Sequence, residues 1–322
     1  MANPVWNQVL AAFNDRRARN EQENDRRRRE IAEKHPDLDA LVRQRHEMVM
    51  GAVRGAFSDG TLQNAEATMA EYNRKIGEML KAKGFPTDYL TPVYHCPLCH
   101  DTGFLYENSV RKQCDCLKKA YQQALSKAEE NGQEIQTFAT FDPLRFPEAP
   151  LPGMDVTQRE RMLAVRDKCR QYAANVGNGP IKTLLLHGGS GLGKTFLLNC
   201  VSHEAEVRGV DTLSVTAYDL LMDLKNAYFS RNGETADAYF DTELLLIDDL
   251  GMEPLIDSVT VTQIYNLISS RLKLGLYTVI TTNLSREELQ KRYTERITSR
   301  LLDPRTGIAI AFLGRDIRLT KP

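Results

Sequence analysis

The stretch "GGSGLGKT", Gly188 to Thr195, constrains this chain more than any other. It fits G-x-x-x-x-G-K-[ST], and it falls between the short apolar run "TLLLHG" and an amphipathic segment ending at Gly209. A glycine-rich turn between a strand and a helix lets backbone N–H groups turn inward around phosphates. Lys194 would reach the β and γ phosphates, and Thr195 would ligate Mg²⁺. The helix that follows adds its positive dipole end. Residues Gly188, Gly189, Ser190, Gly191, Leu192, Gly193, Lys194 and Thr195 are therefore the expected ATP-binding loop.

Around this loop, apolar runs alternate with helical patterns. "TLSVTA", "ELLLIDD", "YTVITTN" and "GIAIAFLG" are separated by "YDLLMDLKNAYF", "VTQIYNLISSRLKL" and "SREELQKRY". Ser285 and Glu288 have capping-box spacing. Such alternation predicts a mostly parallel sheet with helices on both faces. An apolar strand ends in Asp248 and Asp249. One of these acids would hold Mg²⁺ near Thr195, and the next could polarise an attacking water. Asn283 ends a later strand and could orient that water. "ERITSRLL" offers Arg296 and Arg300, four apart on one helix face. From their residue types alone, these two arginines read as surface salt-bridge formers.

The first 90 residues read as helical. Between Asn14 and Lys34 there are eight basic and six acidic side chains, a mixture that suits a solvated, salt-bridged helix. Pro36 starts a second helix with Leu38, Leu41, Val42, Val49 and Val53 on its apolar face. A third runs from Leu62 to Lys83 on Met69, Tyr72, Ile76, Met79 and Leu80, ending at Gly84. They form either a self-packed bundle or a partner-docking module. A further helix, "LKKAYQQALSKAEEN", stops at Gly132, and "FDPLRFPEAPLPG" marks a proline-rich boundary. The expected division is a helical region 1–90, a zinc-binding module with linker helix 91–135, a linker 136–155 and the ATPase domain 156–322.

Four of the six cysteines lie in "HCPLCHDTGFLYENSVRKQCDC". With no apolar leader after the first residues and no long uncharged apolar stretch, the expected compartment is the cytoplasm, with no membrane partner. That disfavours disulfides. A redox C-x-x-C sits at a helix start, whereas Cys96 follows a proline-bearing link and precedes a turn. Two pairs with 14 residues between them suit a tetrahedral zinc site of Cys96, Cys99, Cys114 and Cys116. His95 or His100 could replace one member, since the C-x-C half is unusual. Gly103 fits a tight turn after the first pair. Cys169 and Cys200 read as ordinary buried residues. The net charge is −1, so any nucleic-acid binding must be local.

The motifs "GGSGLGKT", "LLLIDDLG", "VITTN" and "ERITSRLL", in that order, resemble the AAA+ ATPases of the DnaC/DnaI helicase-loader type and their relative IstB. "GFPTDYLTPVYHCPLCHDTGF…CDCLK" strengthens the likeness, which covers about residues 85 to 320. The resemblance implies an AAA+ P-loop core behind a helical region and a zinc module, using ATP, Mg²⁺ and Zn²⁺. It assigns Asp248 to Mg²⁺, Asp249 to water activation, Asn283 to sensor I and Arg300 to an arginine finger acting in trans, with Arg296 beside it. It also implies self-association through the ATPase domains, single-stranded DNA, and a replicative hexameric helicase as partners.

Most AAA+ proteins have Glu at the position of Asp249, so slow, switch-like hydrolysis is expected. No lid is expected after "FLGRDIRL", and Arg315 or Arg318 would have to substitute for sensor II. "NAYFSRNG", residues 226–233, combines aromatic and basic groups suited to single-stranded DNA, although Tyr228 and Phe229 could equally pack under a loop. The function implied is ATP-dependent helicase loading. The alternatives are an IstB-like transposition helper on duplex DNA and a non-hydrolysing ATP-gated scaffold. A small-molecule kinase fits the later motifs poorly.

Overall fold

The computed structural model describes residues 4–56, 65–230, 234–257 and 259–319. Two compact units emerge, one within residues 11–102 and one combining the first ten residues with the chain from Gly103 onward.

In the first unit, α1 (Pro4–Lys34) continues from the other unit and is followed by α2 (Pro36–Ala56) and α3 (Ala65–Ala82). Pro36 opens α2, where its missing N–H costs nothing. Ile31, Leu38, Ile76 and Leu80 form the buried centre, with Leu41, Val42 and Met79 packed partly against it. Met69 is instead 43% exposed, so it does not belong to the apolar stripe expected of α3. The expected start of α3 at Leu62 and the side chain of Val53 lie outside the described residues. Along α1, Glu23 pairs with Arg26 and Arg27, and Glu30 with Lys34. These exposed pairs add little stability.

The second unit opens with a hairpin, β1 (Phe104–Glu107) and β2 (Val110–Gln113), turned at Asn108 and Ser109 with φ of 51° and 63°. Two consecutive left-handed residues are what a tight hairpin turn requires. Then comes α4 (Asp115–Glu130), with Tyr121 fully buried on it. The Tyr121 ring meets Trp6 edge-on at 5.0 Å, and its hydroxyl donates to Glu206 at 2.6 Å. The hairpin is bolted down by polar contacts. Arg111 donates to Asp211 at 2.7 Å, and Gln113 to the Val210 carbonyl at 2.7 Å. Lys112 pairs with Glu243 at 2.8 Å.

The proline-rich stretch around residue 145 does more than span a boundary. Phe141 and Phe146 are buried in the same core as Leu184, Leu186 and Leu198. Asp142 caps a short 3₁₀ turn at Pro143–Arg145. Next comes α5 (Gln158–Asn175), held by a Thr157–Glu160 capping box. The alternating series follows: β3 (Thr183–Gly188), α6 (Lys194–Val207), β4 (Thr212–Thr216), α7 (Ala217–Ser230), α8 (Glu234–Asp241), β5 (Leu244–Leu250), α9 (Thr260–Lys273), β6 (Tyr277–Thr282), α10 (Arg286–Leu301) and β7 (Gly307–Phe312). The five strands β3 to β7 are all parallel, in the order β4-β5-β6-β3-β7. Apolar clusters cover both faces, the expected doubly covered α/β core. Strand β6 therefore lies between the strand that feeds the phosphate loop and the strand that ends in the two acids. Ser285 and Glu288 form the expected capping box, with Glu288 N–H to Ser285 Oγ at 3.2 Å and Ser285 N–H to Glu288 at 2.7 Å.

Candidate nucleotide site and cysteine cluster

All five residues expected to do the chemistry around one nucleotide, other than the arginines, gather at the carboxyl ends of β3, β5 and β6. Gly188 has φ 139°, and a Cβ there would lie 2.3 Å from the Phe312 carbonyl oxygen. Only glycine lets the loop leave β3 so close to β7. Lys194 opens α6, and its ammonium donates to the carbonyls of Gly188 at 2.8 Å and Gly189 at 2.6 Å and to Asn283 Oδ1 at 2.7 Å. Thr195 Oγ donates to Asp248 Oδ1 at 3.1 Å.

The parallel register turns Asp248 toward Thr195. A bulge between Ile247 and Leu250 interrupts the pairing with β6, and Asp249 within it has φ 57°. That twist brings Asp249 to the cavity too. Burial, reinforced by the neighbouring charge of Asp248, pushes the Asp249 carboxyl above its ordinary range. Burial likewise pulls Lys194 down, against the opposing attraction of Asp249 and Asp248.

Lys194, Thr195, Asp249 and Asn283 line a cavity of about 470 Å³, with Asp248 behind Thr195. Ser190 to Thr195 form its floor, while Phe141, Asp142, Arg145 and Phe146 form a wall. Backbone N–H groups at a helix start and a lysine suit phosphate, and a carboxylate beside a threonine hydroxyl suits a hard divalent cation. The donor set therefore fits a Mg²⁺–nucleoside triphosphate.

Two contributors were beyond sequence reasoning. Thr281 on β6 donates to Asp248 Oδ1 at 2.5 Å and accepts the Asp249 N–H at 2.8 Å. Its role depends on β6 lying beside β5, which no motif announces. The second is the wall built by Phe141 and Phe146, from a stretch that reads as linker. Of the two arginines weighed as cationic substitutes, Arg318 reaches the loop and donates to Ser190 Oγ at 2.6 Å. Ile317 N–H bonds the Gly191 carbonyl at 2.9 Å, and a Cβ on Gly191 would come 1.7 Å from Asp316. Arg315 instead pairs its backbone with Gln158.

Arg296 and Arg300 do not face this cavity. α10 is interrupted at Thr294 (φ 69°, ψ 161°), and the two arginines sit on the piece beyond the break. Arg300 donates to the Tyr265 hydroxyl at 2.9 Å and lies over that ring at 4.7 Å. It lines a separate cleft of about 580 Å³ with Arg286 and Arg305. Tyr228 and Phe229 are 65% and 66% exposed and touch each other edge-on at 5.2 Å. Arg231, Asn232 and Gly233 lie outside the described residues.

In the cysteine block, the sulfurs of Cys96, Cys99, Cys114 and Cys116 lie within 4.8 Å of one another, and none forms a disulfide. Asp101 organises the first pair: its carboxylate accepts the N–H groups of His95 and Cys96, both at 2.9 Å. Burial opposes its ionisation, but these N–H groups prevail and hold it below the ordinary range. His100 and Asp101 both have positive φ, so the chain doubles back tightly. The Cys114 N–H bonds the Gly103 carbonyl at 2.8 Å. His95 faces Asp101 at 3.5 Å and His100 stacks on Tyr94 at 4.4 Å, so the cluster is one of thiols alone. Four convergent thiols are compatible with Zn²⁺. Cys169 and Cys200 are fully buried. Burial pushes Cys169 up to about 12 and raises Cys200 as well.

Residues 179–306 match the protein family described as IstB-like ATP binding protein. The replicative helicase loader DnaI of Bacillus subtilis (strain 168) is 28% identical over 193 residues, 59% of this chain and 57% of that protein. The replicative helicase loader DnaC of Escherichia coli (strain K12) is 28% identical over 149 residues, 44% of this chain and 58% of that protein. The chain thus spans a little over half the length of these curated relatives. Among solved structures, a DnaC helicase loader covers 55% of this chain and 96% of its own, with a TM-score of 0.46 at 21% identity. A DnaI structure covers 56% and 90%, with a TM-score of 0.43 at 24% identity. The likeness read from the motifs, to IstB-related ATPases of the DnaC/DnaI type, is borne out.

Proposed function

We propose that this chain, a DnaC/DnaI-like protein around an IstB-like ATP-binding region, is an ATP-controlled loader of a replicative DNA helicase onto single-stranded DNA. The observation that carries the reading is the convergence of Lys194, Thr195, Asp249 and Asn283 on one cavity, with Asp248 bonded to Thr195 at its edge, within a region whose curated relatives are named as helicase loaders.

Gly188 to Thr195 would wrap the triphosphate, with Lys194 at its β and γ phosphates. Thr195 and Asp248 would hold Mg²⁺, which neutralises charge developing on the phosphates. Asp249 would accept a proton from the attacking water, and Asn283 would orient it. Asp249 is one methylene shorter than glutamate, which suits slow, switch-like turnover. Arg300 would reach a neighbouring subunit's triphosphate, so hydrolysis would need self-association. The exposed Tyr228 and Phe229 offer stacking surfaces for unpaired bases. Zn²⁺ on Cys96, Cys99, Cys114 and Cys116 would hold the small module together. The helical region up to residue 90 would dock on the helicase.

The IstB-like match keeps a second reading in view, a transposition helper acting on duplex DNA. Co-purification separates the two. A loader retains a hexameric helicase on single-stranded DNA only with ATP. No ATP-dependent retention, or equal retention of a transposase on duplex DNA, defeats the loader reading.

A further inference from the structure

One buried carboxylate ties the loop after the acid pair to the segment that carries the arginines. Glu253 follows Asp249 by four residues and is 1% exposed. One of its oxygens accepts the Gly251 N–H at 2.8 Å. The other accepts the Tyr293 hydroxyl and faces the Arg292 guanidinium at 3.5 Å. Arg292 also donates to the Glu253 carbonyl.

Both ends of this tie are themselves fixed. Gly251 has φ 110°, and a Cβ there would come 2.7 Å from Leu284, the neighbour of Asn283. The Leu250 carbonyl accepts the Thr282 hydroxyl at 2.6 Å. At the far end, Tyr293 is fully buried and immediately precedes the break at Thr294. Beyond that break the helix resumes and presents Arg296 and Arg300. A carboxylate taken out of water is costly unless it is paired and hydrogen-bonded. Among the described residues, Glu253 draws its partners from two segments, one holding the acids and the other leading to the arginines. Neither Glu253 nor Tyr293 lines the nucleotide cavity, so nucleotide contact does not account for the arrangement.

We propose that Glu253 is a positioning residue that locks the Arg300 segment of a subunit in register with the acid loop of that same subunit, and so sets how it presents the arginine to its neighbour. The proposal rests on Arg300 acting in trans.

Mixed assemblies test it. Lys194→Ala subunits cannot use ATP but still carry Arg300; Arg300→Ala subunits bind ATP but donate no arginine. Each should be inactive alone, and mixing should restore turnover. If mixing restores nothing, the trans-arginine reading itself fails, and Glu253 with it has no task of this kind. With turnover restored, Glu253→Gln is added only to the Lys194→Ala subunits, which do no chemistry of their own. Mixed kcat should fall at least about tenfold, the scale expected when a catalytic group leaves its productive geometry. KM for ATP should stay unchanged, because the hydrolysing subunit is unaltered. Tyr293→Phe, which removes only a hydroxyl, should act in the same direction in the same position and decides the matter if Glu253→Gln fails to fold. Unchanged kcat with folded variants overturns the proposal.

Discussion

At Lys194 one ammonium satisfies three oxygens: two loop carbonyls and Asn283. Replacing it with alanine removes the only lysine lining the cavity among the described residues. Lys194→Ala is expected to abolish binding of a fluorescent ATP analogue, and retained binding would locate the site elsewhere. Thr281→Val tests a subtler role. The swap keeps shape but removes the hydroxyl that donates to Asp248 and accepts from Asp249. Loss of such a supporting hydrogen bond costs about 10- to 100-fold, so ATPase turnover should drop by that range while Mg²⁺-free nucleotide binding stays near normal. Turnover equal to the unaltered protein would show that the hydroxyl has no part in holding the acids. The contrast between these residues explains what sequence could reveal. Lys194 and Thr195 sit inside an eight-residue string whose chemistry is local. Thr281 matters only because β6 lies beside β5, and Arg318 only because the chain after β7 returns over Gly191.

Elements repeat that division. Every strand of the parallel sheet is legible as an apolar run, and the capping box at Ser285 is written in the sequence. The break in α10 is not, because Thr294 carries no helix-breaking signature; it directly follows buried Tyr293, which is bonded to Glu253. Nor does the stretch from Phe141 to Phe146 advertise itself as part of the core, since prolines mask two aromatic anchors. The β1–β2 hairpin offers a test at this scale. Arg111 pairs with Asp211, whose side chain has no solvent exposure, and burial still pushes that carboxyl upward despite the arginine. Arg111→Met would strand a buried charge, costing about 3–5 kcal/mol. Denaturant titration should show that loss, and Arg111→Met with Asp211→Leu should recover most of it. A single variant as stable as the parent would mean that the pair does not anchor the hairpin.

For the whole molecule, six cysteines divide into two chemical populations. Four converge in one cluster, and two lie separately in the sheet-packing core. A folded sample should give no rapid reaction with a thiol reagent until a strong chelator is added, and then four thiols should react. Cys169 and Cys200 should respond only on unfolding, since burial keeps them protonated. Four reactive thiols before chelation would contradict metal binding. No helix among the described residues is long and apolar enough to cross a membrane.

The chain's one tryptophan gives its fluorescence a single address. Trp6 is 4% exposed, its ring set edge-on against Tyr121, and Tyr121 holds Glu206 near the end of the same helix that Lys194 begins. Emission from the intact protein should therefore be blue-shifted and nearly inaccessible to iodide. Any red shift in a binding experiment would report loosening at the seam of α1, α4 and α6, with no added dye and no second tryptophan to subtract.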